Sequence, residues 1–316
     1  MGELRKDYIL DRWVIYSVRR GKRPKEFKQE EIVVEPKDCF FCPGNESLTP
    51  PEIGRIGGKQ WRVRWFENKF SALEPVGEPN PRTDNRFYTF ANNYGYHEII
   101  VETPDHHKQL EMLDAKQICD VLGVYKNRID ELSKKPNIKY VCVFKNHGFH
   151  AGTSIVHTHS QVMAISFIPP AVREKIDAVR KFINCPYCDI VASEKNSSRR
   201  CFENNNWVAF CPYASRYNYE VWIFPKKHLR VFDDIPDVCE LADILQKVLK
   251  KVAELNVSYN MHVTYSPEGE DLHFHIEVIP EIAIWGGFER GSGAVINSVM
   301  PENAAAFYRG EPESQG

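Results

Sequence analysis

Apolar residues return along this chain with two periods. Ile118, Val121, Leu122, Tyr125, Ile129 and Leu132 recur every three or four positions, and Asp114 followed by Gln117 forms a capping box, so residues 114 to 133 are predicted as an amphipathic helix. Leu241, Leu245, Val248, Val252 and Leu255 repeat the spacing and predict a second helix from Asp237 to Leu255. β-rich runs predict strands at 12–17, 61–65, 97–102, 139–144, 155–165, 207–211, 219–224 and 261–265, with a last one in the segment His273 to Pro280. Pro, Asn, Gly and Arg crowd residues 75 to 93, which predicts a long surface loop, and a short helix after Pro169-Pro170 leads to Cys185.

Set in order, these elements repeat. Each half runs Cys-x-x-Cys, strand, strand ending in His, helix, strand and then His-x-His on a final strand, so internal duplication is the simplest account. The predicted class is α+β, antiparallel sheets flanked by helices in two tandem repeats, residues 1–170 and 171–316. The repeat also fixes a register. His228 lies eight residues after Glu220, and eight residues after Glu98 is His106, not His107.

Each half then offers two thiols and two imidazoles: Cys39, Cys42, His106 and His157 in the first, Cys185, Cys188, His228 and His273 in the second. A closed set of two Cys and two His is the ligand chemistry of a structural zinc site. A redox pair instead needs the Cys-x-x-Cys to head a helix beside a βαβ unit, and Pro43-Gly44 after the first pair argues for a turn. Cys119, Cys142, Cys201, Cys211 and Cys239 are scattered singly and are expected to be packing residues.

On a strand over 155–165, His157, His159 and Gln161 share one face, about 7 Å apart in succession. With His157 given to metal, His159 is left over. Gly148 and Gly152 let backbone approach a ligand, while Thr153, Ser154 and Gln161 bring hydrogen-bonding groups suited to phosphate oxygens. A neutral imidazole attacks phosphorus competently when its other nitrogen donates to a fixed acceptor. The basic turn with Arg20, Lys22 and Arg23 is placed to neutralise a pyrophosphate leaving group, the alternative being a solvated turn. The second half has Glu277 at the position of Gln161, where a carboxylate repels phosphate, and lacks the glycine loop, so one chemical site per chain is expected.

Bulk properties narrow the setting. A content of 42% hydrophobic residues suits a chain with a real core, and 41 basic and 43 acidic residues, interspersed, leave neither a basic face for nucleic acid nor an acidic tail. No apolar run approaches 18 residues, and the amino terminus lacks a signal-like apolar stretch, so no membrane partner and a cytoplasmic location are expected.

These residues also carry a resemblance. Phe144-Lys145-Asn146-His147-Gly148, Gly152 and His157-Thr158-His159-Ser160-Gln161 resemble the signature Phe-Glu-Asn-x-Gly, Gly, His-Pro-His-x-Gln of the galactose-1-phosphate uridylyltransferase family, in the histidine-triad superfamily. Ser17 to Pro24 and Thr103-Pro-Asp-His106 extend the match, and Gly286 to Asn297 looks like the branch that includes plant ADP-glucose phosphorylase. The departures are Lys145 in place of Glu and Thr158 in place of Pro.

The resemblance implies histidine-triad-like repeats, His159 as nucleophile with Gln161 on its phosphate, and two Zn2+ sites on the eight ligands above. It further implies Asn146, Gly152 and Ser154 at the nucleotide phosphates, Asn68 at the nucleotide, Arg20 and Arg23 at the pyrophosphate or sugar phosphate, and Glu289 and Asn297 at the hexose. The activity implied is ping-pong transfer between UDP-glucose and galactose 1-phosphate, the alternative being ADP-glucose with inorganic phosphate, in a homodimer. A nucleotidyl hydrolase and a non-catalytic zinc-stabilised nucleotide-binding module are the readings from other classes.

Overall fold

Residues 2–17 and 35–312 are described in the computed structural model, so Arg20, Lys22 and Arg23 lie outside the described residues. The strands of the first half are β1 (Glu3–Lys6), β2 (Trp13–Tyr16), β3 (Glu52–Ile56), β4 (Val63–Glu67), β5 (Arg82–Thr83), β6 (Thr89–Phe90), β7 (Gly95–Val101), β8 (Tyr140–His147) and β9 (His159–Ile165). Those of the second are β10 (Arg200–Glu203), β11 (Trp207–Phe210), β12 (Val221–Pro225), β13 (Tyr259–Thr264), β14 (His275–Pro280) and β15 (Val295–Asn297). The helices are α1 (Ala115–Ser133), α2 (Pro170–Val179), α3 (Pro186–Glu194), α4 (Val238–Glu254), α5 (Gly287–Ser292) and α6 (Pro301–Arg309).

One ten-stranded antiparallel sheet has the order β10-β11-β12-β14-β13-β8-β9-β7-β4-β3. Outward from the central pair, β8, β9, β7, β4, β3 on one side mirror β13, β14, β12, β11, β10 on the other. The two halves therefore share a single sheet, joined where His147 to Phe144 pair with Tyr259 to His262. A smaller sheet, β1-β2-β15, ties the amino terminus to the carboxy-terminal region.

The long helices cover one face of the large sheet. The apolar stripes of α1 and α4 bury Ile118, Val121, Leu122, Leu241, Leu245 and Val248 in one core with Val143, Val162, Ile276 and Val278 of the sheet, and the two helices pack on each other. Alternation along β9 turns Val162 and Ser160 toward the helices, which leaves His159 and Gln161 for the opposite face. On that face Phe41, Phe66, Ile99 and Val101 form a separate small apolar cluster with Cys39 and Cys42.

Several expectations shift in detail. The Asp114 side chain accepts from Gln117 N as an N-cap should, but the Gln117 side chain donates to the carbonyls of Glu102 and Arg62, so the capping box is half made. β9 begins at His159 rather than Ile155, because His157 is drawn into the cysteine cluster. The loop over 75–93 carries the short hairpin β5–β6, and α3, α5 and α6 were not legible as periodic runs. Cys119 and Cys239 are not packing residues: they form a disulfide between the amino-terminal parts of α1 and α4, brought together because the repeat sets those helices side by side. No helix among the described residues is long and apolar enough to cross a membrane.

Candidate functional site

His159 stands at the start of β9, buried against Phe41, whose ring meets it edge-on at 5.2 Å. Its Nδ1 lies 2.9 Å from the carbonyl of His157, so Nδ1–H donates there and Nε2 carries the lone pair. Burial lowers its pKa to about 4, with Lys145 adding a smaller push in the same direction, so the ring is neutral at pH 7. That is the state and tautomer a nucleophilic imidazole needs.

Gln161 is oriented by a residue the sequence reading passed over. His97 on β7 places Nε2 2.9 Å from Gln161 Oε1, and Asn68 Nδ2 sits 3.2–3.4 Å from the ring nitrogens of His97. With Oε1 engaged by the His97 N–H, the amide hydrogens of Gln161 are the groups left for an incoming oxygen. The only signal for His97 was its alternation with Ile99 and Val101, which reads as a plain strand face.

The glycine loop is a built feature. Gly148 and Gly152 have φ of +82° and +84°, and a Cβ on Gly148 would come within 2.3 Å of Ser258 Oγ. Thr153 Oγ1 donates to Asn146 O, while Asn260 of β13 donates from Nδ2 to both Asn146 Oδ1 and the Ala151 carbonyl. Asn146 is thus held by its oxygen, and the brace comes from the second half of the chain. A cavity of about 650 Å³ borders the loop, with Asn146, Ser154, His157 and His159 along its wall.

Behind the histidines lies a buried ionic network. Lys145 and Glu102, both under 2% exposed, pair at 2.7 Å, and Glu102 also accepts from Thr158, Ser160 and Tyr125. Glu102 stays ionised: burial alone would raise its pKa, but Lys145 and the hydroxyl donors bring it below the usual carboxylate value.

Among the described residues, two clusters have metal-ligating chemistry. Ligand atoms of Cys39, Cys42, His106 and His157 lie within 4.8 Å of one another, as do those of Cys185, Cys188, His228 and His273. Outer partners fix the imidazoles: His157 Nε2 is 2.7 Å from Thr103 O, His273 Nε2 3.1 Å from Lys227 O and His228 Nε2 2.9 Å from Asp271. All four rings, His106 included, turn Nδ1 toward the thiols, at 3.3–3.8 Å from sulfur. Burial and the neighbouring Cys push the thiols of Cys42 and Cys188 up to about 12, so in the absence of a cation they hold their protons. The donor set fits a metal ion at both places.

Two other predicted residues have partners within the fold. Asn297 is fully buried, donates to the carbonyls of Ser215 and Tyr217 and accepts from Val299 N, so it is a structural cross-link and not a group presented to a sugar. Glu289 caps the short α5 by accepting from Gly286 N. In the second half His275 repeats the geometry of His159, its Nδ1 2.9 Å from His273 O, but its Nε2 is met by Lys175 of α2 at 3.0 Å and by Glu277 at 3.1 Å. Lys175 and Glu277 also pair directly. Lys175 thus offsets the Glu277 charge that was expected to repel phosphate, and the obstacle is a different one: the place is filled from within.

Comparison with known proteins agrees with this geometry. A family model described as the N-terminal domain of galactose-1-phosphate uridyl transferase matches residues 2–169, and one described as a domain of unknown function matches 113–306. The chain is 34% identical to an ADP-glucose phosphorylase of Arabidopsis thaliana over 97% of its own length and 92% of the relative's. It is 30% identical to a galactose-1-phosphate uridylyltransferase of Thermotoga maritima, with 98% of each chain covered. A crystal structure of the Arabidopsis ADP-glucose phosphorylase with bound ADP-glucose superposes with a TM-score of 0.85 at 32% identity, covering 98% of this chain and 99% of that one. With the histidine-glycine signature, the doubled sheet and full-length similarity in agreement, the chain belongs to the galactose-1-phosphate uridylyltransferase family and is a nucleotidyl-transferring enzyme of sugar phosphates.

Proposed function

We propose that the protein takes a nucleotidyl group from a nucleoside diphosphate sugar onto His159 and passes it to a second phosphate-bearing acceptor. The observation that carries this is the fixed direction of His159, Nδ1–H on the His157 carbonyl and Nε2 left as a lone pair beside the glycine loop. In the first step Nε2 bonds to the α-phosphorus, the pyrophosphate bridge P–O bond breaks, and sugar 1-phosphate departs with the bonding electrons. In the second, an acceptor phosphate oxygen attacks the same phosphorus and the P–N bond returns its electrons to Nε2.

Gln161 donates to the phosphate oxygens, and Asn146, Ser154 and the backbone around Gly152 hold the remaining charge. Asn68 contacts the nucleotide, Arg20 and Arg23 the pyrophosphate or sugar phosphate, and Glu289 the hexose. Zinc is the ion we assign to the two Cys₂His₂ sets, on the chemistry of two thiolates and two imidazoles with no open position. It supplies no reactivity: the first set fixes His157, whose carbonyl orients His159. We further propose a cytoplasmic homodimer with the two repeats divided near residue 170.

UDP-glucose with galactose 1-phosphate is the first reading of donor and acceptor, supported by the matched family model and the Thermotoga relative. ADP-glucose with inorganic phosphate is the second, favoured by the higher identity to the Arabidopsis phosphorylase. The test is intact-mass measurement after incubation with each donor and no acceptor. A uridylyl or adenylyl adduct, absent in His159→Ala, names base and nucleophile together; no adduct with either donor would overturn the covalent route, and release of nucleoside monophosphate alone would indicate a hydrolase.

A further inference from the structure

The β8–β9 ladder stops at the pair Phe144 and Gln161: from Lys145 to His147 β8 is paired only with β13, on its other edge, and the chain that leads on to β9 leaves as the glycine loop. On the β7 side β9 remains held, with Val101 opposite His159 and Glu102 N donating to Thr158 O. On the β8 side the carbonyl of His159 has lost the backbone amide that a continued ladder would bring. A side chain takes its place: Lys145 Nζ lies 3.2 Å from His159 O.

The other two N–H donors of Lys145 are fixed as well, on Glu102 Oε2 and on Thr158 Oγ1, each at 2.7 Å. Three successive carbonyls, those of His157, Thr158 and His159, are thereby pinned by the His159 ring, the Glu102 amide and the Lys145 ammonium. Lys145 and Thr158 are also the two positions at which the chain departs from the family signature, and they touch. A Glu at 145 would set a second carboxylate against the buried Glu102, and a Pro at 158 would remove the hydroxyl that bridges lysine and carboxylate.

Resting on the reading of His159 as nucleophile, we propose that Lys145, locked by Glu102 and Thr158, is a positioning residue: it substitutes for the missing ladder bond and holds the line along which His159 Nε2 approaches phosphorus. Lys145 touches no substrate in this account. It acts from the helix side of the sheet through the main chain, and small displacements of an attacking atom are costly to rate.

The variants that decide are Lys145→Met, Thr158→Val and the double variant Lys145→Met/Glu102→Gln. Lys145→Met alone leaves Glu102 ionised and unpaired in the core and loses stability, so it does not separate packing from positioning. The double variant removes both charges. We expect its melting temperature to return close to the wild type while single-turnover nucleotidyl labelling of His159 stays slowed by tenfold or more, with the half-saturating donor concentration little changed. Thr158→Val is expected to lie between. Labelling at the wild-type rate in the refolded-stability double variant would overturn the proposal.

A second arm needs no donor. Long-range proton–nitrogen spectra of the histidine rings at pH 8 are expected to report one His159 tautomer, protonated on Nδ1, in the wild type and a mixture in the double variant; an unchanged ring spectrum would also overturn it. Absence of labelling in the wild type would strike the nucleophile reading, and the ring spectra would still decide the role of Lys145.

Discussion

His159 and His275 have the same internal bond, ring Nδ1 to the carbonyl two residues back, and differ in what meets Nε2. For His275 the Lys175–Glu277 pair answers it inside the protein; for His159 the loop and cavity do. Charge in the second half has another consequence, at Glu220. This carboxyl is fully buried, and burial first, then the nearby Glu277, pushes its pKa up to about 7 from 4.5. The folded state thus binds this proton more tightly than the unfolded chain, so the contribution to stability is complete below about pH 4.5 and is lost as pH rises through 7. In urea unfolding at pH 5 and pH 8, Glu220→Gln is expected to gain on the wild type by up to ~3 kcal/mol between the two conditions. A gap that does not change with pH would refute this assignment.

Among the elements, α1 and α4 deserve comparison because they are the same helix in the two halves and are covalently joined. Each starts on an Asp cap, Asp114 accepting from Gln117 N and Asp237 from Cys239 N, and each directs its apolar stripe into the shared core. The Cys119–Cys239 bond closes a loop of 120 residues at their amino-terminal ends, so it restricts the unfolded chain strongly. Cys119→Ser is expected to cost about 2–4 kcal/mol in oxidising buffer and next to nothing with excess reductant. Alkylation mapping without reductant should leave these two cysteines unlabelled; full labelling of both would remove the basis for the prediction.

On the scale of the whole molecule, the two metal-ligating clusters join segments distant in sequence but serve different ends. The first includes His157, whose carbonyl receives the His159 ring proton; the second lies where His275 is already engaged. Cys42→Ala is therefore expected to lower nucleotidyl labelling by roughly 10–100-fold, whereas Cys188→Ala lowers thermal stability and leaves labelling within about twofold. Metal analysis should find one equivalent fewer in each. Equal loss of labelling in both variants would show that the clusters only hold the fold.

Much of this was present in the linear pattern. Periodicity gave α1 and α4 to within two residues, and the repetition of Cys-x-x-Cys and His-x-His separated His157 from His159 and chose His106 over His107. Those features are local or periodic, so short-range sterics and apolar spacing suffice to express them. The tertiary structure decided everything that depends on which strands become neighbours. A Lys at 145 and a Glu at 102 are unremarkable in sequence until β7, β8 and β9 bring them together in a core where neither can stay charged alone. The same applies to Asn260 bracing the loop, His97 turning Gln161, Asn297 enclosed as a cross-link, and two scattered cysteines meeting between helices. The chain by itself named the groups capable of chemistry; closure of one sheet from two halves determined which of them is left free to perform it.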